Sequence, residues 1–254
     1  MHGGFGGGTL ASWLHQHESG QAVRARDPFL LSPGVEHTDL DRGPWNDDPA
    51  SVFYDADAEA WVGRFIMGPI NTRVVRRSAV LVEQSGQPYG HGFRYQEYQT
   101  YQPPFARLTG VLVNGMLSVF DRAAAAAWSR RLLTRAMPKP GEGPSETTKE
   151  KGWFTCELLG IGDKGEKVWG RIHHDGDPSN RSTVKFACES AFCLALDEGA
   201  LPPAFPGGVL TPATAFGDLL ARRLRGAGVI IEIGGEPAPR LVGRQTATRT
   251  ESSL

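Results

Sequence analysis

Gly207-Gly208-Val209-Leu210-Thr211-Pro212-Ala213-Thr214-Ala215-Phe216-Gly217-Asp218 is a loop feeding a capped helix. Thr211 can accept an amide N–H as N-cap, and Pro212 fits the first helical position, where no amide donor is needed. Phe216, Leu219, Leu220 and Leu224 follow at helical spacing and predict one amphipathic helix. Arg222, Arg223 and Arg225 suit its negative end, and Gly226 and Gly228 supply a stop. The Val229-Ile230-Ile231 run beyond them reads as a buried strand.

Working outward, Phe154–Leu159 and Lys167–Ile172 flank Gly162-Asp163-Lys164-Gly165 and read as a β-hairpin. A helix is expected from Thr183 to Leu196, and another from Pro69 to about Val82 with Ile70, Val74 and Leu81 as buried positions. A strand over Phe93–Tyr101 would place Phe93, Tyr95 and Glu97 on one face. One long helix is expected over Leu108–Arg135, breaking at Pro138, which opens a rigid loop to Ser145. Residues 20–60, rich in Asp, Pro and Gly, read as an excursion across the surface. These elements give an α+β fold, an antiparallel or mixed sheet with helices packed on it, over residues 1–236. The polar residues 237–254 read as a disordered tail.

The 254 residues are 40% hydrophobic, with six Trp and twelve Phe, enough for a sizeable core. A net charge of −1 gives no general case for nucleic acid or for an acidic membrane surface. The 32 glycines point to long connections over a modest core. Cys156, Cys188 and Cys193 show neither CxxC pairing nor zinc spacing, which fits reduced thiols in a cytoplasmic protein. Cys188 and Cys193 read as small apolar core residues of one helix. No run of about 18 apolar residues appears, and the first residues lack a basic start followed by an apolar run.

Several blocks resemble the saccharopine dehydrogenase-like oxidoreductases, a family that includes bacterial trans-acting enoyl reductases. Gly7-Gly8-Thr9-Leu10-Ala11-Ser12 is similar to its GGT-xAS segment, and Asp27-Pro28-Phe29-Leu30-Leu31-Ser32-Pro33 to its DPYxLSP. Met67 and Ile70-Asn71-Thr72-Arg73-Val74-Val75-Arg76-Arg77-Ser78 resemble a block reading M-x-x-I-N-T-R-V-V-R-R-S. Tyr89-Gly90, Phe93–Glu97, Pro138–Ser145, Cys188–Ala195 and Gly207–Asp218 extend the resemblance in the same order.

The resemblance implies the substrate-side half of a Rossmann-type oxidoreductase without its N-terminal dinucleotide-binding domain. Full-length members use NADP(H); this chain alone is expected to bind none and to be inactive by itself. A missing or separately encoded Rossmann domain, a small acyl or carboxylate substrate and a homodimer are the partners implied. In some bacterial members the substrate is an enoyl intermediate of complex-lipid synthesis. The segment 209–233 would dock on the Rossmann domain, which predicts exposed apolar surface there. The alternative is a non-catalytic binding or dimerisation module that keeps the fold.

The cluster Gly3-Gly4-Phe5-Gly6-Gly7-Gly8-Thr9 superficially suggests a dinucleotide fingerprint, with Asp27 near the place of a ribose-binding acid. That motif requires a hydrophobic strand before it, and only Met1 and His2 precede Gly3. The cluster therefore reads as a flexible loop opening a helix from Thr9 to about His17. Within the arginine block, Asn71, Arg73 and Arg77 are candidate substrate contacts, because guanidinium groups grip carboxylates two-pronged. A solvated basic face or a buried ion pair would use the same residues. Tyr95 could donate a proton to a carbonyl under reduction or simply line the sheet. No catalytic residue is assigned, and no metal is expected: His173 and His174 point to opposite faces of an extended segment. Where the family reads D-P-G-Y-G, this chain has Asp177-Pro178-Ser179-Asn180-Arg181, which puts a substrate role for that loop in doubt. Neither a G-x-S-x-G elbow nor a P-loop occurs.

Overall fold

The structure is a computed structural model that describes residues 3–4, 6–32, 46–90, 92–202 and 207–234. The predicted tail, 237–254, lies outside the described residues, as does much of the predicted surface excursion, 33–45. In chain order the elements are α1 (Gly7–Glu18), α2 (Gln21–Arg24), β1 (Phe53–Asp55), β2 (Ala60–Arg64) and α3 (Gly68–Gln84). Then come β3 (Tyr98–Tyr101), α4 (Ala106–Ala125), α5 (Ala127–Ala136), α6 (Glu146–Glu150), β4 (Trp153–Ile161) and β5 (Lys167–Asp175). The chain continues through α7 (Thr183–Leu196), α8 (Pro212–Phe216), α9 (Asp218–Gly226) and β6 (Ile230–Ile233). Among the described residues there are two three-stranded sheets, ordered β1-β2-β3 and β4-β5-β6. Every pairing in them is antiparallel, so the α+β expectation holds while the single sheet becomes two.

The deciding stretch folds as a capped helix. Thr211 and Thr214 form a reciprocal capping box, each side chain accepting the other's backbone N–H. One predicted helix becomes two because Gly217 sits at φ 51°, ψ −134°, a conformation side-chain-bearing residues avoid. Phe216 and Leu219 still face one core, packed with Cys193 of α7. Arg223 holds α9 to that helix through Glu189 at 2.9 Å and Asp197 at 2.8 Å. The strand after α9 is not buried as a whole. Val229 is buried, but among the described residues β6 pairs only with β5, so Ile230 and Ile233 stay exposed on an edge.

Other departures have local causes. The predicted Leu108–Arg135 helix is interrupted at Ala126, which is extended. The Ser129 hydroxyl donates to the Ala123 carbonyl at 2.6 Å, and Arg130 donates to that of Ala124 at 2.7 Å. These side chains satisfy the last carbonyls that a continuing helix would have used. The strand predicted from Phe93 begins only at Tyr98. Its partner β2 ends at Arg64, opposite Tyr98, so no ladder exists for residues 93–97. The hairpin and the Thr183–Leu196 helix form as predicted. In that helix Cys193 is fully buried, whereas Cys188 is exposed, because five residues turn the chain most of the way to the opposite face.

The glycine-rich opening is not a flexible loop in its described residues. The Gly7 N–H donates to the Glu142 carbonyl at 2.8 Å, and the Gly4 N–H to Asp177 Oδ2 at 2.8 Å. A Cβ on Gly7 would lie 2.0 Å from the Lys139 carbonyl oxygen, so only glycine permits this approach.

Candidate functional site

Helix α3 buries an unexpected face. Ile70 is exposed, while Thr72, Arg73, Arg76 and Ser78 are buried. A buried guanidinium is tolerated only when its charge and donors are matched. Arg73 meets that condition: it grips Asp48 with both terminal nitrogens, at 2.6 and 2.8 Å. Its remaining donors go to Thr72 Oγ1 and to the carbonyls of Ala25, Arg26 and Asp27. Arg76 donates to the carbonyls of Pro28 and Tyr95, both at 3.0 Å, and lies over the Phe29 ring. Arg77 donates to the carbonyls of Leu31 and Val209, both at 2.7 Å. Three arginines on one helix thus fasten residues 25–31 of the predicted surface excursion, in which Leu30 and Leu31 are exposed while Pro28, and Ser32 just beyond, are buried.

Asn71 and Tyr95 converge on Glu97, which sequence reasoning placed on the Tyr95 face without assigning it a role. Asn71 Nδ2 donates to Glu97 Oε2 at 2.9 Å, and the Tyr95 hydroxyl donates to Oε1 at 2.8 Å. Burial raises the Glu97 carboxyl above its ordinary range, against the opposing pull of those two hydrogen bonds. Burial and the neighbouring Glu97 also push the Tyr95 phenol up, which keeps it a neutral donor. Cys156 on β4 belongs to the same electrostatic group. It keeps accessible surface, yet the surrounding protein and the charge of Glu97 push its thiol up to about 11.

A cavity of about 330 Å³ lies where α1, α2 and α3 meet. Leu30, Leu31, Pro69 and Ile70 give it apolar walls, Gln16 and Gln21 add amides, and Arg73 and Arg24 border it. Arg73 is spent on Asp48 and the carbonyls. The Arg24 guanidinium has no partner among the described residues, so it is the cation able to meet an anionic or carbonyl ligand. Arg24 escaped sequence reasoning, and nothing in its surroundings in the chain marks it. A larger cavity, about 460 Å³, is bordered by Trp61, Pro103, Pro104, Phe105, Leu108 and Val111, with Arg107 its sole ionisable neighbour among the described residues. Apart from that cation it offers apolar walls rather than chemistry.

The Gly3–Gly8 segment does not fit a nicotinamide dinucleotide. The Gly4 and Gly7 amides, which a pyrophosphate would need, are occupied, and the carboxylate holding Gly4 would repel one. Asp177 is fully buried and also accepts from Asn180 Nδ2 at 2.7 Å and Ser179 Oγ at 3.1 Å. The Asp177–Arg181 loop therefore clasps the opening glycines. His173 and His174 engage different partners, Thr155 Oγ1 and Ser182 Oγ. Among the described residues no group of three or more His, Cys, Asp or Glu could hold a metal ion, and no helix is long and apolar enough to cross a membrane.

The chain is 35% identical over 243 residues to a Mycobacterium tuberculosis protein that bears the trans-acting enoyl reductase name provisionally, covering 91% of this chain and 56% of that protein. A trans-acting enoyl reductase of Mycobacterium ulcerans is 35% identical over 242 residues, covering 89% of this chain and 55% of its own length. One from Mycobacterium bovis is 39% identical over 180 residues, covering 67% and 40%. The chain spans about half the length of the curated relatives it matches. No family profile matches the chain, and no solved structure does. The enoyl reductase portion of the sequence resemblance is what these relatives support.

Proposed function

We propose that this chain is the acyl-binding part of an enoyl reductase-type oxidoreductase of the saccharopine dehydrogenase-like kind, whose NADP(H) is held by a Rossmann domain outside these residues. The observation that carries the reading is a 35% identical relative named for enoyl reduction, matched across 91% of this chain. The Arg24 cavity supports it further: apolar walls for an acyl chain converge on one uncommitted cation, the usual make-up of a small-molecule site. Arg24 would hold the carboxylate or thioester carbonyl, while Leu30, Leu31 and Ile70 enclose the chain. In this reading Arg73 and Arg77 shape the site rather than touch the ligand. Asn71 and Tyr95 hold Glu97 by hydrogen bonds apart from the residues that line the cavity. No hydride-transfer step is assigned to the described residues, because their glycine segment does not fit the cofactor.

Isothermal titration of the purified chain with a trans-2-enoyl thioester tests this directly. Saturable binding is expected, weakened at least tenfold by Arg24→Ala, with no response to micromolar NADPH. Equal affinity in the variant would overturn the site, and binding of NADPH would overturn the division of labour. A non-catalytic module is favoured by the complete structural engagement of Arg73. That reading predicts no enoyl binding at all.

A further inference from the structure

We infer that the outer face of α5 docks on an anionic lipid bilayer, with the helix lying along the surface rather than crossing it. The net charge of −1 conceals a local imbalance. Between Asp121 and Glu142 stand five basic residues, Arg122, Arg130, Arg131, Arg135 and Lys139, and no acid. Both bracketing acids are engaged: Asp121 pairs with Arg64 at 2.7 Å, and Glu142 Oε2 accepts the Lys139 backbone N–H at 2.8 Å. Among the described residues, Arg131, Arg135 and Lys139 have no ion-pair partner. The stretch therefore offers unmatched positive charge to an anionic partner.

The way α5 is fastened decides which of its residues face outward. Ser129 and Arg130 bind its first turn to the end of α4, Ser129 is buried, and Leu133 on the same side is half-buried. Counted at 100° per residue, Arg131, Arg135, Trp128 and Leu132 fall on an arc of about 100° on the opposite side. All four are exposed, Trp128 at 75% and Leu132 at 61%. Two arginines thus take one flank of the outward face and two large apolar side chains the other. That pairing suits a boundary where anionic headgroups adjoin acyl chains. Trp128 would sit at headgroup depth beside Leu132, while Arg131 and Arg135 lay their stems on the apolar layer and reach phosphate. The exposed apolar pair favours a bilayer over a partner that supplies negative charge alone. At ten residues α5 is about 15 Å long, half the ~30 Å hydrocarbon core, so it lies in the plane of the surface. This face shares no residue with the Arg24 cavity and stands independently of the acyl-binding reading.

Flotation of the full chain with vesicles at physiological salt provides the test. Mixed phosphatidylcholine–phosphatidylglycerol vesicles are expected to carry the chain upward, and pure phosphatidylcholine vesicles to leave it behind. Arg131→Gln should lower the partition coefficient about fivefold, the worth of one cation at an anionic surface. Arg222→Gln removes the same charge from an exposed position on α9 and should change it less than about twofold. Trp128→Ser should weaken binding by about tenfold or more, with circular dichroism unchanged. Brominated lipid should quench the tryptophan fluorescence of the wild type more than that of Trp128→Phe. A chain that stays unbound at millimolar anionic lipid overturns the inference. So does an equal loss in Arg131→Gln and Arg222→Gln, which would make the attraction one of net charge. Binding indifferent to Trp128→Ser, or release from the vesicles by soluble polyglutamate at equal charge concentration, would identify an acidic protein as the partner and overturns it too.

Discussion

Asp177 Oδ2 accepts the Gly4 backbone N–H at 2.8 Å, closing a span of 173 residues and tying the glycine-rich opening to the loop before α7. Hydrogen bonds from Asn180, the Gly4 amide and Ser179 outweigh the upward push of burial and hold the Asp177 carboxyl below its usual range. Asp177→Ala strands those donors and should destabilise the fold by about 1–3 kcal/mol in urea titrations. Because the folded pKa is depressed, this stabilisation is present above the unfolded value of 3.8 and is lost as pH falls through the folded one. The stability gap between wild type and Asp177→Asn should therefore narrow below about pH 4.

The adjacent glycines should respond with opposite signs. A Cβ on Gly7 would collide with the Lys139 carbonyl, whereas one on Gly8 meets nothing within 4 Å. Thermal unfolding should show Gly7→Ala less stable than wild type. Gly8→Ala should gain up to about 1 kcal/mol from its better helix propensity.

Arg73 should be intolerant of lysine. An ammonium cannot span both Asp48 oxygens and three carbonyls, so Arg73→Lys should recover less than half of the loss seen in Arg73→Ala. Removing one partner of a buried pair costs about 3–5 kcal/mol, which urea denaturation would register.

Glu97 should titrate above its ordinary carboxyl value of 4.5. With a raised folded pKa, its contribution to stability is present below 4.5 and declines as pH rises through the folded value. Tyr95→Phe removes a hydrogen bond that favours the charged form, so carboxyl ¹³C NMR should find the Glu97 midpoint shifted further upward. An unchanged midpoint would mean that the Tyr95 hydroxyl does not bond to Glu97 in solution.

What could be read from the chain was local. The Thr211–Pro212 cap, the hairpin around Gly162–Gly165 and the Thr183–Leu196 helix depend on neighbours in sequence, and all three form. Features set by distant partners were hidden. Asp48 converts the face of α3 bearing Arg73 from solvent-facing to buried, and Asp177 immobilises glycines that otherwise read as flexible. The start of β3 at Tyr98 depends on where β2 stops, 34 residues earlier at Arg64. For the candidate site, the block containing Asn71, Arg73 and Arg77 lies on α3, which borders the cavity, whereas the cavity's free cation, Arg24, lies on α2 and carries no mark in its sequence surroundings. Asn71 and Tyr95 meet only through Glu97, and Arg24 becomes a candidate only once α2 packs beside α3.

The most direct test of an acyl-binding role is ¹H–¹⁵N NMR of the chain titrated with a trans-2-enoyl thioester. The account predicts that amide shifts gather at Arg24, Leu30, Leu31 and Ile70 while Gly4 and Gly7 stay still. Shifts concentrated on Gly4 and Gly7, or none anywhere at millimolar ligand, would contradict it.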